Sequence, residues 1–298
     1  MNKKPYFALF ISVVSVSFAA IFIVSCNAPS LSIAFFRLLF TFLLLLPFVI
    51  FSRNCRKEML NISKKDFLLM TIIGIILAFH FALWITSLKY TSVASSVILV
   101  TAHPLLVGPI SHFLFKEKLS FINSIGICLS VFGVFILVYG NYGFSSMGGD
   151  TFEGNILAIL GGIAAGLYIL GGRKIRKNVS VRSYALTVYF IATIILFLLC
   201  LVFNSPIINL SLQDYGIILL MAVVAGIFGH TLYNWSLKYI RASLASVALL
   251  GEPIGSSILA YFLPWINQLP TKFTIIGGAF ILFGIYLTAK RYKDFNIP

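Results

Sequence analysis

Ten apolar runs, each of roughly 17 to 25 residues, follow one another along the 298-residue chain, and that is the length a helix needs to cross a hydrocarbon core. They fall at residues 6–26, 31–51, 67–88, 91–113, 121–140, 154–172, 183–204, 214–237, 240–262 and 273–290, with short polar or basic segments between them. Such helices close their own backbone hydrogen bonds inside lipid. A membrane strand needs only about 9 to 11 residues and alternates apolar with polar at period two, a pattern these runs lack. A water-soluble fold is excluded as well. With 60% hydrophobic and 10% charged residues and a mean hydropathy of +1.02, the chain has too little polar surface to cover itself. The expected fold class is an all-α membrane protein of ten transmembrane helices.

The net charge of +14 raises nucleic acid as a partner, and the placement of the 22 Lys and Arg residues decides against it. If the N-terminus is cytoplasmic, 19 of them fall in the segments on that side, only Lys89 and Lys272 fall on the other, and Arg37 lies within the second span. That asymmetry is what the positive-inside rule produces for an even number of spans with both termini inside. The basic residues are spread over every inner loop with no interleaved aromatic platform, so they read as topology determinants that also attract anionic lipid. The N-terminus resembles a signal sequence, and Ile23-Val24-Ser25-Cys26 resembles a lipoprotein cleavage box. A helix-length apolar stretch followed by nine more spans predicts an uncleaved first span instead. Cys26, Cys55, Cys128 and Cys200 have neither paired nor metal-ligand spacing, so they read as small apolar fillers or free thiols, and neither metal nor cofactor is expected.

The chain also repeats itself. Ser87-Leu88-Lys89-Tyr90 returns as Ser236-Leu237-Lys238-Tyr239, an offset of 149 residues, half the chain length. At that offset Phe79 meets Phe228, Leu83 meets Leu232, and Ala102-His103-Pro104 meets Gly251-Glu252-Pro253; Gly126 and Gly133 meet Gly277 and Gly284 once two residues are added. A register kept over about sixty residues predicts two five-helix units, 1–148 and 149–298. An odd number of spans per unit turns the second copy upside down, which gives an inverted repeat with a site near the midplane between the copies.

Several short motifs now stand in order: Ala34 to Leu39 around a central Arg, Lys116-Glu117-Lys118-Leu119-Ser120 closing the fourth span, Ser-Leu-Lys-Tyr before Ala-Ser-Leu-Ala-Ser-Val, and Gly-Glu-Pro. In that order and spacing the chain resembles the EamA-type drug/metabolite transporter superfamily over nearly its whole length. The resemblance implies a ten-helix basket around a central cavity, with the fifth and tenth helices peripheral. It also implies a substrate range from amino acids to other metabolites and drugs. The family's first-half acidic turn is present at Glu117, but its second-half counterpart around Leu263 to Leu269 has no acid and holds Pro264 and Trp265, with Pro270 following.

A charge deep in a span costs about 2.5 to 3.5 kcal/mol on insertion scales, so each one calls for a reason. Glu252 is the single carboxylate inside a span, and Pro253 after it bends the helix and frees a carbonyl. Facing the cavity, it would hold a substrate ammonium or a transported proton; otherwise it ties the bend to a neighbouring helix. His103, followed by Pro104, is its repeat mate. His80 and His230 occupy near-equivalent places in the third and eighth spans, one residue out of register. Imidazoles titrate near neutral pH and can relay protons, or simply hydrogen-bond between helices. Arg37 must pair or reach water, as an anchor between helices or as a contact to an anionic substrate group. Asn234, Trp84, Tyr168, Tyr233 and Trp235 are candidates to line the cavity, the aromatics equally for the interfacial belt. Gly162 with Gly166, Ala222 with Gly226, and the four glycines of the fifth and tenth spans permit close helix contact, within the chain or in a homodimer.

No G-x-x-x-x-G-K-S/T motif occurs, so the expected function is secondary transport of a small molecule across the lipid bilayer, by alternating access and with a proton as candidate coupling ion. An acid and an Arg facing one cavity suit a zwitterion. Amino acids are therefore the expected substrates, exported, with another metabolite or drug class as the alternative. A membrane-embedded enzyme would need H-E-x-x-H or paired carboxylates at the interface, and the eight acids are scattered. A receptor that binds without translocating would leave the inverted symmetry unexplained. The expected location is the cell membrane of a prokaryote.

Overall fold

The computed structural model of the chain describes residues 3–91, 93–142, 152–262 and 269–290. The turn holding Pro264 and Trp265, the unit boundary at 148/149, and Arg291 and Lys293 lie outside the described residues. Helices α1 (Lys4–Val24), α2 (Ser30–Ile50), α4 (Lys64–Tyr90), the pair α5 (Val93–Thr101) and α6 (Pro104–Phe115), and α7 (Phe121–Tyr142) make the first unit, with a short α3 (Arg53–Leu60) after α2. The second unit is α8 (Phe152–Ile175), α9 (Val181–Val202), a bundle of α10 (Leu212–Met221), a π-helix (Ala222–Thr231) and α11 (Leu232–Ser236), then α12 (Ala242–Ala248), a 3-10 turn (Leu249–Gly251), α13 (Glu252–Phe262) and α14 (Lys272–Ala289). Together they supply 10 helices long and apolar enough to cross a membrane. Every one overlaps an apolar run read from the sequence, and no strand occurs among the described residues.

Local chemistry sets the helix starts. Ser52, Ser63, Ser180, Ser211 and Thr271 each accept a hydrogen bond from the backbone N–H three residues on, and Ser63 and Ser211 also donate to Asp66 and Asp214. Outward faces carry large apolar side chains such as Phe7, Phe48, Phe132, Leu198, Phe228 and Tyr286. On a soluble protein that belt would aggregate; here it is the lipid-facing surface.

The two units interdigitate. Helix α4 lies against α8 and α9, α2 against α9, and α1 against the π-helix and α13. Helices α7 and α14 pack on each other, and their glycines make that approach possible. A Cβ on Gly133 would stand 2.7 Å from the carbonyl oxygen of Gly277, and one on Gly126 would stand 2.6 Å from that of Gly284. The glycine stripe that left packing and dimerisation open is thus taken up inside the chain. Gly162 is likewise used against the backbone of Leu99 and Val100, and Gly226 against Thr41.

One face of the bundle carries the basic connections. There Glu58 of α3 fixes the entry to α9: its carboxylate accepts from the Ser180 N–H at 2.7 Å, from the Ser180 hydroxyl, and from the Ser183 hydroxyl at 2.5 Å. Burial opposes its charge, but these hydrogen bonds and the nearby Arg176 outweigh burial and hold the carboxyl below its usual range. A depressed folded value gives stability that is present above the unfolded range and lost as pH falls through the folded value. Glu58→Ala is expected to cost about 1 to 3 kcal/mol near neutral pH. In detergent, its thermal unfolding should fall below that of the parent by several degrees and converge with it in strong acid; a pH-independent gap would refute the charge-based account.

Candidate functional site

Arg37 is the buried charge around which the centre is organised. The sequence runs Ala34-Phe35-Phe36-Arg37, and the fourth residue of this apolar stretch of α2 turns inward, where it is 2% exposed. Its guanidinium carbon stands 4.7 Å from the centroid of the Phe81 ring on α4, a cation–π contact strengthened by desolvation. Nη1 has no hydrogen-bond partner. Glu252 is within electrostatic reach of Arg37, yet no ion pair links them; Arg173–Glu117 is the one ion pair among the described residues. A basic and an acidic side chain therefore share one interior without an ion pair between them.

The histidines complete this set. His80 Nδ1 lies 2.9 Å from the carbonyl oxygen of Gly161 on α8. A carbonyl can only accept, so Nδ1 carries the proton, and in the neutral ring Nε2 remains an acceptor. Gly161 lets the helices approach: a Cβ there would sit 3.1 Å from the Trp84 backbone nitrogen. The His80 ring stacks on Trp84 at 6.0 Å, and the Trp84 Nε1 is buried without a partner. His230, on the π-helix, meets the edge of the same Phe81 ring at 5.6 Å. Wide i→i+5 turns advance less around the axis per residue than α turns, so the π-helix presents His230 at an azimuth an α-helix would not.

His103 lies in the short turn after α5, at the N-cap of α6 just before Pro104; it is 9% exposed, with Nδ1 unpartnered. Glu252 begins α13 just after the 3-10 turn, before Pro253. Both X-Pro sites are thus breaks in a spanning helix, where backbone groups lose their regular partners in the bundle interior. Arg37, His80, His103, His230 and Glu252 feel one another electrostatically and come from both units. His80, His230, Glu252 and Trp84 are half-buried rather than fully enclosed.

The remaining candidates lie elsewhere. Tyr168, Tyr233 and Asn234 are fully buried. The Asn234 amide donates to the Tyr168 oxygen and, at 2.7 Å, to the His230 carbonyl, while Asn234 Oδ1 and the Tyr233 hydroxyl have no partner. Tyr184, whose hydroxyl is also orphaned, and Tyr189, whose hydroxyl lies 3.2 Å from that of Thr231, join this cluster. Sequence reading missed both, although phenols five residues apart in an apolar span were a usable signal. Trp235 lies apart from the centre, against Tyr239 at 5.0 Å on the basic face.

That basic face is also clamped. Glu117, 7% exposed, accepts from Arg173 Nε at 2.9 Å and from the Ala242 N–H at 3.1 Å. Arg173 Nη1 donates to the carbonyls of Leu237 and Lys238 at 2.7 and 2.9 Å. The α6–α7 connection, α8 and the α11–α12 connection are thereby tied at one point. His112 accepts from the Leu119 N–H at 3.1 Å and so shapes the Glu117 turn itself. On the other face, Asp214 accepts from the Asn27 N–H at 2.8 Å and from the Cys26 thiol at 3.3 Å, joining the α1–α2 connection to α10.

The model of the EamA-like transporter family matches twice, over residues 3–139 and 152–290. A protein of Archaeoglobus fulgidus named only as an uncharacterized transporter is 26% identical, over 98% of this chain and 100% of its own length. The uncharacterized transporter YdfC of Bacillus subtilis is 21% identical over 89% of this chain and 83% of its own. A crystal structure at 18% identity superposes with a TM-score of 0.78, covering 99% of this chain and 100% of that one, which shows a shared fold. Two matched units, the ten-helix architecture and relatives named as transporters lead to one conclusion: the chain belongs to the EamA-like transporter family.

Proposed function

We propose that the chain is a secondary transporter that moves small zwitterionic metabolites, amino acids first among them, by alternating access. The carrying observation is the separated pair of Arg37 and Glu252: the guanidinium has a free Nη1, and the carboxylate is in electrostatic reach without contact. A substrate with a carboxylate and an ammonium fits between them, its carboxylate on Arg37 and its ammonium on Glu252. Trp84 and Phe81 supply apolar walls, and Nε2 of His80 supplies an acceptor. The two helix breaks at Pro104 and Pro253 give each unit a hinge beside the site. We place the basic face on the cytoplasmic side of a prokaryotic cell membrane, following the positive-inside rule, and the direction of net transport as export.

Glu252 also suits proton coupling, because release of a substrate ammonium would leave it open to protonation. Glu252→Gln is expected to abolish pH-gradient-driven amino-acid flux in proteoliposomes while thermal unfolding stays close to that of the parent. Flux that keeps its pH dependence in the variant would remove the proton role. Movement of another metabolite class with no amino-acid flux in the parent would remove the substrate assignment.

A further inference from the structure

A pocket of about 330 Å³ opens on the basic face, away from the central group, between the α2–α3, α8–α9 and α11–α12 connections. Its walls include Arg176, Arg182 and Lys238, the polar side chains of Ser52 and Asn54, and the ring of Trp235, with no carboxylate among the lining residues. Arg176 is 2% exposed. Its Nε donates to the Asn234 carbonyl at 3.0 Å and its Nη1 to the Val179 carbonyl, which leaves Nη2 for the pocket it lines. The carboxylate in electrostatic reach, Glu58, accepts hydrogen bonds from Ser180 and Ser183. Burial is the main influence on Arg176 and pushes its guanidinium down to about 10, against the opposing pull of Tyr184, Tyr239 and Glu58, and among the described residues no carboxylate forms an ion pair with it. Carbonyl contacts orient a guanidinium but do not neutralise it.

We propose that this pocket binds a phosphate-bearing anion, held by Arg176, Arg182 and Lys238. Arg offers the fork geometry that a phosphate accepts, and Lys adds a mobile point charge. The volume admits a phosphate group together with the polar moiety attached to it. The position suits such a ligand too: the pocket is at the end of the bundle where the basic connections gather, beside Trp235 and Tyr239, a level at which basic pockets between helices take lipid headgroups. The duplication does not explain the pocket. At the 149-residue offset, Arg176 corresponds to Asn27 and Arg182 to Ile33, so these cations belong to one end of the molecule only. Through Arg176 the bound anion would also bear on the backbone of Asn234, and from there on the His230 carbonyl.

The test uses the full-length protein in phosphatidylcholine bilayers and reads apparent thermal stability, which rises when a ligand binds the folded state. One arm adds phosphatidylglycerol to the bilayer; the other adds inorganic phosphate at constant ionic strength, with chloride as control. Stabilisation by phosphatidylglycerol alone identifies a lipid headgroup, and stabilisation by inorganic phosphate identifies a soluble phosphate anion. In either case Arg182→Ala combined with Lys238→Ala should raise the half-effective concentration at least about tenfold, while Arg182→Lys with Lys238→Arg should keep most of the response. Both doubly substituted proteins leave Arg176 and its carbonyl bonds in place. The proposal is overturned if neither probe stabilises the parent, if chloride acts equally, or if the alanine variant responds like the parent.

Discussion

Arg37→Met is expected to abolish transport while leaving the chain as stable as the parent or more so. Removing one partner of a buried ion pair is strongly destabilising because the other charge is stranded, but Arg37 has no such partner: its Nη1 makes no hydrogen bond and no carboxylate touches it. Its interior position is therefore a cost carried for another purpose, and methionine fills a similar apolar volume against Phe81 without that cost. Transport should respond in the opposite sense. Losing a desolvated charged contact to the carboxylate of the proposed substrate costs about 2 to 5 kcal/mol, so flux of that substrate should fall at least about 30-fold. Arg37→Lys should recover only part of it, since an ammonium cannot present the guanidinium fork. The two measurements, flux in proteoliposomes and thermal unfolding in detergent, separate the roles. A variant that loses stability and flux together would make Arg37 an anchor between helices, and one that keeps its flux would remove it from the site.

Why Arg37 was visible in the sequence while its surroundings were not is a matter of range. Lipid forces each span to be long, apolar and helical, so the ten helices could be read from local composition, and the repeat of Ser-Leu-Lys-Tyr carried the two-unit organisation. Isolated charges in apolar spans singled out Arg37 and Glu252 for the same reason. What local pattern does not hold is azimuth and partner. Sequence alone could not show that Arg37 and His230 both meet the Phe81 ring, that Gly161 brings α8 close enough to bond His80, or that His230 sits on a π-helix. Each depends on contacts between residues of different spans. Trp235 is the opposite case: its neighbours in sequence, Tyr233 and Asn234, point into the core, and one step along the helix turns it to the basic-face pocket instead.

Glu117→Ala is expected to loosen the basic face and shift the protein toward a form open on that side. Burial weighs more on Glu117 than its pairing with Arg173, and the balance holds its carboxyl above the usual range. A pair of that kind adds little to net stability but is costly to break from one side, about 3 to 5 kcal/mol when a buried charge is stranded. It therefore works as a latch. Under the proposed alternating access, the loss falls on the form seen here, in which Arg173, the Ala242 N–H and the Leu237 and Lys238 carbonyls meet. No equivalent latch can form by the same chemistry at the other end, since Val24 stands at the position corresponding to Arg173 and no acid lies between Leu263 and Leu269. With the native cysteines replaced and a cysteine placed at Ser243, which is 5% exposed beside the latch, modification by an impermeant maleimide from the basic side should accelerate at least about tenfold in Glu117→Ala, the effect of roughly 1.4 kcal/mol on the closed form. Glu117→Gln, which keeps an acceptor for the Ala242 N–H but not the charge, should fall between the two. Exchanging the charges by Glu117→Arg with Arg173→Glu should not restore closure, because a guanidinium cannot accept from that N–H. Unchanged labelling in Glu117→Ala, or full restoration by the charge exchange, would show that the contact is a surface ion pair with no hold on the transport cycle.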